Sequence, residues 1–183
     1  MTGYFASPEQ IAIAAKVLVR MKSANSALYI LVDPVLGDEG GLYVPQAVAE
    51  AIATHLLPLA SCITPNRYEL AWLSGREVSD AASAIAAAKH LGTGEVLATS
   101  IPAPEDKLST MLITADGQHT ITAPKLAHVP HGTGDFLSGL YLGARVSGSA
   151  QTAFTSAMTM LNRAITMSAG TAVLDVAGAL HRP

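Results

Sequence analysis

The residues best suited to chemistry in this chain form the run His131-Gly132-Thr133-Gly134-Asp135, where a loop is predicted to become a helix. A helix start presents unpaired N–H groups and the positive end of the helix dipole, which together can hold a phosphate. Glycines let the backbone approach such a group without a Cβ in the way. Asp135 is then placed to take a proton from an attacking hydroxyl, as phosphoryl transfer requires. An ordinary loop with an aspartate in the first helical turn is the competing interpretation.

Composition limits the class of protein. The chain has 183 residues, enough for a buried core, and we expect a single domain over 1–183. Half of the residues are hydrophobic and 14% are charged, which is typical of an α/β enzyme with buried parallel strands. The net charge of -3 and the lack of a Lys/Arg run argue against a nucleic-acid partner. Cys62 is the only cysteine, which favours a cytoplasmic setting. The apolar runs of the sequence are too short to predict a membrane span.

The elements that must position these residues alternate between helix and strand. Helix signals begin at Ser7-Pro8-Glu9-Gln10, and an apolar stripe predicts the buried face of that helix: Ile11, Ala14, Ala15, Leu18 and Val19. Further helices are predicted over 45–57, 66–73, 79–91, 135–146 and 150–169. Strands are predicted over 27–32, 61–64 and 96–99, followed by a hairpin around Asp116-Gly117. This order predicts a three-layer α/β/α sandwich with a mainly parallel sheet.

Polar residues follow each predicted parallel strand. Asp33 ends the first strand, Thr64 ends the second with Asn66 and Glu69 just after it, and Thr99-Ser100 ends the third. In open α/β sheets, ligands bind beyond the carboxyl ends of the strands. The sequence therefore predicts an active site at this edge.

Each of these residues also has a structural interpretation. Asp33 before Pro34 is typical of a turn, Asn66 is typical of a helix cap, and Glu69 suits a capping box or a solvated position. The glycine-rich loop over 37–41 either folds over a substrate or is a long surface connection. As a chemical set, Asp33, Asn66 and Glu69 supply the hard oxygen ligands that Mg²⁺ prefers. The residues alone leave these alternatives open.

Six motifs follow one another along the chain. They are Asp33-Pro34-Val35-Leu36-Gly37-Asp38, Leu42-Tyr43-Val44-Pro45, Thr64-Pro65-Asn66-Arg67-Tyr68-Glu69-Leu70, Leu73-Ser74-Gly75, Thr99-Ser100 and Gly132-Thr133-Gly134-Asp135. Their order and spacing resemble the pyridoxal kinases of the ribokinase-like superfamily over nearly the whole chain. Sugar kinases of that superfamily typically carry Gly-Ala-Gly-Asp instead. Hydroxymethylpyrimidine phosphate kinases usually replace the last aspartate with cysteine, so Asp135 favours pyridoxal kinase.

The resemblance implies a role for each site residue. Asp135 is the implied general base on the 5′-hydroxyl of pyridoxal, pyridoxine or pyridoxamine, and the N–H groups of Gly132, Thr133 and Gly134 hold the transferred phosphoryl group. ATP and Mg²⁺ are the implied cofactors, with K⁺ as a further candidate. The implied nucleotide side comprises Asp33, Asp38, Tyr43, Thr64, Asn66, Glu69, Thr99 and Ser100. Of these, Asp33, Thr64 and Glu69 are the implied metal set, and Tyr43 is the implied lid. Tyr4 resembles a tyrosine of the pyridoxal pocket, His131 is a further candidate for substrate contact, and a homodimer is expected.

One departure from the family concerns the start of the chain. In the family, the Gly-Tyr pair and the helix after it lie well inside the domain, whereas Gly3-Tyr4 stands at the start here. The resemblance therefore implies an amino-terminally truncated ribokinase-like domain that lacks much of the pyridoxal pocket. We expect weak or no activity and a tendency to associate. Two alternatives stay open: a hydroxymethylpyrimidine kinase, and an incompetent remnant that only binds MgATP.

Overall fold

The computed structural model describes residues 1–181, which fold into two compact units. The first unit is Met1–Ala123, and the second begins at Pro124. That the two units together make one kinase domain stays a prediction.

The sheet lies in the first unit and is parallel at its centre. The strands in chain order are β1 (Leu31–Val32), β2 (Gly37–Asp38), β3 (Gly41–Leu42), β4 (Cys62–Ile63), β5 (Glu95–Ala103), β6 (Lys107–Thr114) and β7 (Gly117–Pro124). The sheet order is β1-β4-β5-β6-β7, with β1, β4 and β5 parallel and β6 antiparallel to β5. β2 and β3 form a separate small hairpin. The predicted α/β class and the hairpin around Asp116-Gly117 are confirmed.

Helices flank these strands close to their predicted bounds. In the first unit they are α1 (Pro8–Ala24), α2 (Gln46–Ala51), α3 (Arg67–Ser74) and α4 (Ala81–Leu91). The predicted cap of α1 is confirmed, because the Gln10 N–H donates to Oγ of Ser7 at 3.4 Å. Both α3 and α4 end at glycines with left-handed backbone, Gly75 and Gly92, which a residue with a Cβ adopts only at a cost.

The helix predicted over 45–57 is interrupted. Regular α-helix stops at Ala51 and continues as a π-helical turn over Ile52–Leu56 and a 3₁₀ turn over Leu57–Leu59. Pro58 explains the change, because it has no N–H to continue the ladder and its ring displaces the carbonyl four residues earlier.

Two predicted strand bounds are wrong. The run over 27–32 enters the sheet only at Leu31, because the Leu28 N–H donates to the Asn25 carbonyl at 3.0 Å and closes a turn after α1. The third strand does not end at Thr99 but continues to Ala103. Its last part pairs with β6 across a short turn, with Ala103 opposite Lys107, and the apolar run over 96–99 gives no sign of that pairing.

The core of the first unit joins its helices to its sheet. Ile11 of α1, Leu70 of α3 and Val96 of β5 are each at most 1% exposed and belong to one apolar cluster. Leu18 packs against this cluster, as the predicted stripe of α1 requires. Val19 was expected on the same buried face but is 48% exposed, so that part of the prediction is wrong.

The second unit is helical. Its helices are α5 (Thr133–Arg145), α6 (Ala150–Met167) and α7 (Val176–His181). α5 and α6 pack together, with Tyr141 and Phe154 fully buried. α7, which the sequence analysis did not predict, packs on α6 through Ala164, Leu174 and Ala179. Over residues 1–181, none of the helices combines the length and hydropathy that crossing a bilayer requires.

Gly37 of β2 provides a test of the small hairpin. A Cβ at Gly37 would collide with the backbone carbonyl of Gly41 across the hairpin. We expect Gly37→Ala to lower the free energy of unfolding of the first unit by about 1–3 kcal/mol, as for other insertions into packed sites. Gly3→Ala is the control, since a Cβ there meets no heavy atom within 4 Å. Urea unfolding followed by the fluorescence of Trp72, the single tryptophan, measures both variants. Equal midpoints would contradict the prediction.

Candidate active site

Polar residues meet at the carboxyl edge of the parallel strands in the first unit. The last residues of β1 and β4 pair in parallel register, so Asp33 and Thr64 leave the sheet side by side. Both are buried, with 7% and 6% exposure. A parallel bridge between Asn66 and Thr99 continues the same edge towards β5. The structure thus brings these strand ends together, as their sequence positions predict.

Asn66 and Glu69 form the start of α3. The Glu69 N–H donates to Oδ1 of Asn66 at 2.9 Å, and the Asn66 N–H donates to Oε2 of Glu69 at 2.9 Å. This is a complete capping box, the structural interpretation that the sequence left open.

Glu69 also holds the loop after β1, which the sequence analysis did not anticipate. Its Oε1 accepts from the Leu36 N–H at 2.7 Å and from the Gly37 N–H at 3.5 Å. Nδ2 of Asn66 donates to the Gly37 carbonyl at 2.8 Å. Glu69 is only 4% exposed, and this burial raises the pKa of its carboxyl against the opposing effect of the three N–H groups. The carboxylate therefore fixes the loop and the helix start together.

The glycine-rich loop over 37–41 is an ordered hairpin. Oδ1 of Asp38 accepts from the Gly40 N–H at 2.8 Å. The Tyr43 hydroxyl donates to the Asp38 carboxylate, and this hydrogen bond is the main reason that the pKa of Tyr43 rises to about 12. Tyr43 is nevertheless 61% exposed, so its ring presents a free surface beside the hairpin. The expected roles of Asp38 and Tyr43 at the nucleotide stay predictions.

Arg67 is a contact of this hairpin that sequence reasoning missed. Its guanidinium donates to Oε1 of Glu39 at 3.0 Å and to the Val78 carbonyl at 3.2 Å. Both side chains of the ion pair are exposed to solvent to some extent, so the pair contributes little stability to the hairpin tip. Opposite charges 28 residues apart are the only sequence signal, and many other pairs in the chain share it.

Thr99 and Ser100 lie in an irregularity of β5. The pairing with β6 shifts between Ala98 and Ile101, so β5 accommodates an additional residue, as in a β-bulge. Ser100 is exposed and has a positive φ of 59°, whereas Thr99 is half-buried. Bulges re-aim side chains next to active sites, but the nucleotide contacts of Thr99 and Ser100 stay predictions.

Tyr4 follows Thr2, a residue that pairs with β1. The Thr2 N–H donates to the Leu31 carbonyl at 2.9 Å, and Thr2 forms a parallel bridge with Val32. Tyr4 itself is 66% exposed. Its expected contact with substrate stays a prediction.

The second unit carries the glycine-led helix start. Gly132 is the residue before α5, has a φ of 93° and makes no side-chain capping bond. The first helical bond is from the Phe136 N–H to the Gly132 carbonyl at 3.0 Å, so the preceding N–H groups of the first turn point outward from the helix. Asp135 lies in that first turn and is exposed. The arrangement can hold an anion next to a carboxylate, as the sequence predicts.

His131 anchors this helix start. Its N–H donates to the Ala172 carbonyl at 2.9 Å, and its carbonyl accepts from the Leu174 N–H at 3.1 Å. The His131 side chain is exposed. The backbone thus has a structural role, and substrate contact by the imidazole stays a prediction.

A groove of about 470 Å³ begins at Asp135. It is lined by Phe136, Gly139, Leu140, Gly143, Ala144, Ser156 and Leu180 of the same unit. Because α5 presents glycines along this groove, space is left beside the carboxylate for a group of several heavy atoms.

The donor set at the sheet edge fits a metal held mainly through phosphate and water. Among the described residues, no group of three or more His, Cys, Asp or Glu side chains could hold a metal by itself. Mg²⁺ is commonly bound by one or two carboxylates together with substrate phosphates and waters. Asp33 and Thr64 supply hard oxygens, while both Glu69 oxygens already accept backbone N–H bonds.

The fold and the two sets of site residues define a class. A mainly parallel sheet with polar strand ends in the first unit, and a glycine-led helix start with an aspartate in the second, are features of the ribokinase-like α/β kinases. A family model described as phosphomethylpyrimidine kinase matches residues 2–180, and the chain belongs to this family.

Curated relatives include kinases of vitamin B6. The pyridoxine/pyridoxal/pyridoxamine kinase of Bordetella avium is 34% identical over 142 residues, which cover 74% of this chain and 48% of the relative. The pyridoxal kinase PdxY of Deinococcus radiodurans is 33% identical over 175 residues, covering 88% of this chain and 59% of the relative. The chain thus spans about half of the length of the curated relatives that it matches.

Solved structures agree on the fold. Pyridoxal kinase from Leishmania donovani in complex with ADP and pyridoxine matches with a TM-score of 0.89 and 28% identity, covering 99% of this chain and 70% of that one. Pyridoxal kinase from Entamoeba histolytica matches with a TM-score of 0.89 and 28% identity, covering 98% of this chain and 66% of that one. The ribokinase-like fold predicted from the motifs is confirmed.

Removal of the Glu69 carboxylate tests its structural role. Glu69→Ala leaves the N–H groups of Leu36, Gly37 and Asn66 without their acceptor. Since hydrogen bonds to charged groups contribute about 1.5–3 kcal/mol, we expect the free energy of unfolding to fall by about 2–4 kcal/mol. Glu77→Ala is the matched control, because Glu77 is exposed. Urea titration measures the free energy of unfolding of both variants. An equal loss in the two would refute the structural role of the Glu69 carboxylate.

The Tyr43 hydroxyl gives a pH-dependent signal. Its raised pKa means that the folded state favours the protonated phenol, so the stabilising effect is complete below pH 10.0 and is lost as pH rises towards about 12. The difference in tyrosinate absorbance between wild type and Tyr43→Phe isolates this group. We expect a midpoint near 12 that moves back towards 10.0 in Asp38→Asn. A midpoint near 10.0 in the wild type would argue against the hydrogen bond.

Proposed function

We propose that this chain carries the catalytic and nucleotide-binding part of a pyridoxal kinase, which phosphorylates the 5′-hydroxyl of pyridoxal, pyridoxine or pyridoxamine with ATP. The observation that carries the proposal is the start of α5. Gly132 leaves the first-turn N–H groups without a side-chain cap, and the exposed Asp135 follows within that turn. Relatives that are named pyridoxal kinases add support.

The proposed reaction needs little covalent chemistry from the protein. The substrate hydroxyl oxygen forms a bond to the γ-phosphorus, the bond from that phosphorus to the β-γ bridging oxygen breaks, and ADP leaves. Asp135 accepts the proton of the hydroxyl. The N–H groups at Gly132, Thr133 and Gly134 stabilise the charge on the transferred phosphoryl oxygens, as an anion hole does.

The first unit supplies the proposed nucleotide side. Asp33, Thr64 and Glu69 would hold Mg²⁺. The metal, when bound, neutralises charge on the phosphates of ATP. Asn66, Thr99 and Ser100 lie near the nucleotide in this proposal, and the exposed ring of Tyr43 covers it. The Leishmania donovani kinase, with ADP in its structure, supports a nucleotide site in this fold.

A second candidate is phosphorylation of hydroxymethylpyrimidine. The observation that favours it is the description of the matching family model. Asp135 argues for pyridoxal, since kinases of the pyrimidine branch usually carry cysteine there. A third possibility is a chain that binds MgATP and transfers no phosphate.

The proposal has further parts. Tyr4 and His131 contact the substrate, and K⁺ assists nucleotide binding. The two compact units act as one kinase domain, and the chain works as a homodimer in the cytoplasm. Cys62 is the single cysteine of the sequence and is buried, which supports a reducing compartment.

Asp135→Asn tests the proposed base. The substitution keeps the size of the side chain but removes the proton acceptor, so we expect kcat to fall by about 10²–10⁴-fold. The KM for ATP should change little, because Asp135 is not assigned to the nucleotide. Asp116→Asn, the same change at an exposed turn, is the control. Phosphate transfer from labelled ATP to pyridoxal is the readout.

The same assay separates the candidates. Pyridoxal and hydroxymethylpyrimidine are compared at equal concentration, and faster phosphorylation of the pyrimidine would replace the first proposal with the second. Nucleotide binding is measured in parallel by calorimetry. Binding of MgATP without transfer to either alcohol, even at high protein concentration, would leave only the non-catalytic alternative.

A further inference from the structure

The segment that carries most of the proposed nucleotide side has one strong cation. Between Lys22 and Arg76 the sequence contains a single Lys or Arg, which is Arg67. The acidic residues of the same segment are Asp33, Asp38, Glu39, Glu50 and Glu69. A nucleotide triphosphate adds further negative charge, and like charges repel one another. The role of Arg67 in this segment is therefore a question of charge.

Arg67 contacts the tip of the hairpin formed by β2 and β3. It is the first residue of α3 and follows Asn66 at the carboxyl edge of the sheet. Its guanidinium donates to Oε1 of Glu39, in the turn of the hairpin, at 3.0 Å and to the Val78 carbonyl at 3.2 Å. Nδ2 of Asn66 donates to the Gly37 carbonyl at 2.8 Å. Two neighbouring residues at the start of α3 thus contact the base and the tip of the hairpin.

Stability alone does not account for an arginine at this position. Nε of Arg67 is buried and has no acceptor among the residues that the structure describes. A buried donor without an acceptor costs free energy. The pair with Glu39 offsets little of that cost, because the two side chains are 31% and 76% exposed. The positive charge of Arg67 is the property that remains to be explained.

We propose that Arg67 is a positioning residue for the nucleotide: by neutralising Glu39, it lets the acidic hairpin lie beside the phosphates of ATP. The inference rests on the proposed function, because it concerns the same nucleotide site. Without the guanidinium, the Glu39 carboxylate would repel the phosphates, and the hairpin would lie further from them. The carboxylate of Asp38 already has a partner, since it accepts from the Tyr43 hydroxyl.

The contacts of Arg67 favour this role over direct binding of a phosphate. One terminal nitrogen of the guanidinium donates to Glu39 and the other to the Val78 carbonyl. A move towards a phosphate would break both hydrogen bonds. It would also leave the Glu39 carboxylate without its partner beside the nucleotide, where that charge is most unfavourable.

Calorimetry of the full chain with MgADP tests the proposal. Arg67→Gln leaves the Glu39 carboxylate unpaired, so we expect the dissociation constant for MgADP to rise by about three- to tenfold, as for one uncompensated charge near the surface. Arg67→Lys keeps the charge and should bind within about twofold of the wild type. Arg76→Gln is the matched control, because Arg76 is an exposed arginine that lies 3.4 Å from the ring of His90.

A second substitution separates charge from structure. Adding Glu39→Gln to Arg67→Gln removes the unpaired carboxylate, so the affinity should return to within about twofold of the wild type. Adding Glu77→Gln instead makes the same change of net charge at another exposed site and should restore nothing. Between about 0.1 M and 1 M salt the Debye length falls from about 10 Å to about 3 Å, so the defect of Arg67→Gln should shrink. A purely structural defect would be neither rescued by Glu39→Gln nor reduced by salt.

The outcomes separate this inference from the proposed function. Wild-type affinity in Arg67→Gln, or a defect that Glu39→Gln does not rescue, overturns the inference while nucleotide binding by the wild type stands. A wild type that binds no MgADP overturns the proposed nucleotide site and the inference together. Where the chain phosphorylates pyridoxal, Arg67→Gln should raise the KM for ATP and leave kcat unchanged, because the repulsion acts equally on the ground state and the transition state.

Glu39→Arg keeps the inference testable if Arg67→Gln does not fold. Circular dichroism checks the folding of each variant. Glu39→Arg leaves Arg67 in place and reverses the charge of the hairpin tip, so the dissociation constant for MgADP should fall by about threefold. An unchanged dissociation constant in Glu39→Arg would show that the tip does not lie beside the phosphates and would overturn the inference.

Discussion

The buried carboxylate of Glu69 is the constraint on which the loops of the first unit depend. Burial disfavours its charge, and three backbone N–H groups from two separate segments offset part of that effect. One side chain therefore fixes both the start of α3 and the chain that follows β1. That chain is not relaxed, because Val35 has a positive φ of 46°. A β-branched residue holds such a conformation only where its surroundings determine it. The position of the segment that begins at Asp33 thus depends on a carboxylate more than thirty residues further along the chain.

The contacts of the Glu69 carboxylate show which parts of the structure the sequence can predict. Its capping box with Asn66 was foreseeable, because both partners lie within one helical turn and local spacing determines who meets whom. The parallel strand ends were foreseeable for a similar reason, since parallel register brings Asp33 and Thr64 to one edge once the strands are recognised. The contacts of Glu69 with Leu36 and Gly37 could not be predicted, because they depend on how the loop after β1 packs against the start of α3. The continuation of β5 to Ala103 could not be predicted either, since only its pairing with β6 makes that segment a strand.

α1 shows a different limit. Its hydrophobic period correctly indicates a helix, and Ile11 and Leu18 do face the core. The same period also fits Ile13, Val17 and Met21, so a periodic pattern alone cannot distinguish the face that packs on the core from a face that stays exposed. Val19 illustrates the ambiguity, because it continues the apolar pattern and yet is exposed. Only the position of the sheet relative to the helix, which depends on the turn after Asn25, decides which face becomes the core.

The start of α5 shows how small a loss of stability the proposed anion site would require. α1, α3, α4 and α6 begin at side-chain caps, which are Ser7, Asn66, Asp80 and Ser149. α5 begins instead at Gly132, whose φ of 93° suits glycine and whose missing side chain leaves the first-turn N–H groups uncapped. Glycine in place of such a cap costs about a few tenths of a kcal/mol. A hydrogen bond from backbone to a charged group contributes about 1.5–3 kcal/mol. A side-chain cap would occupy the N–H groups that an anion needs, so in the proposed site a single phosphoryl contact would outweigh the stability that the helix gives up.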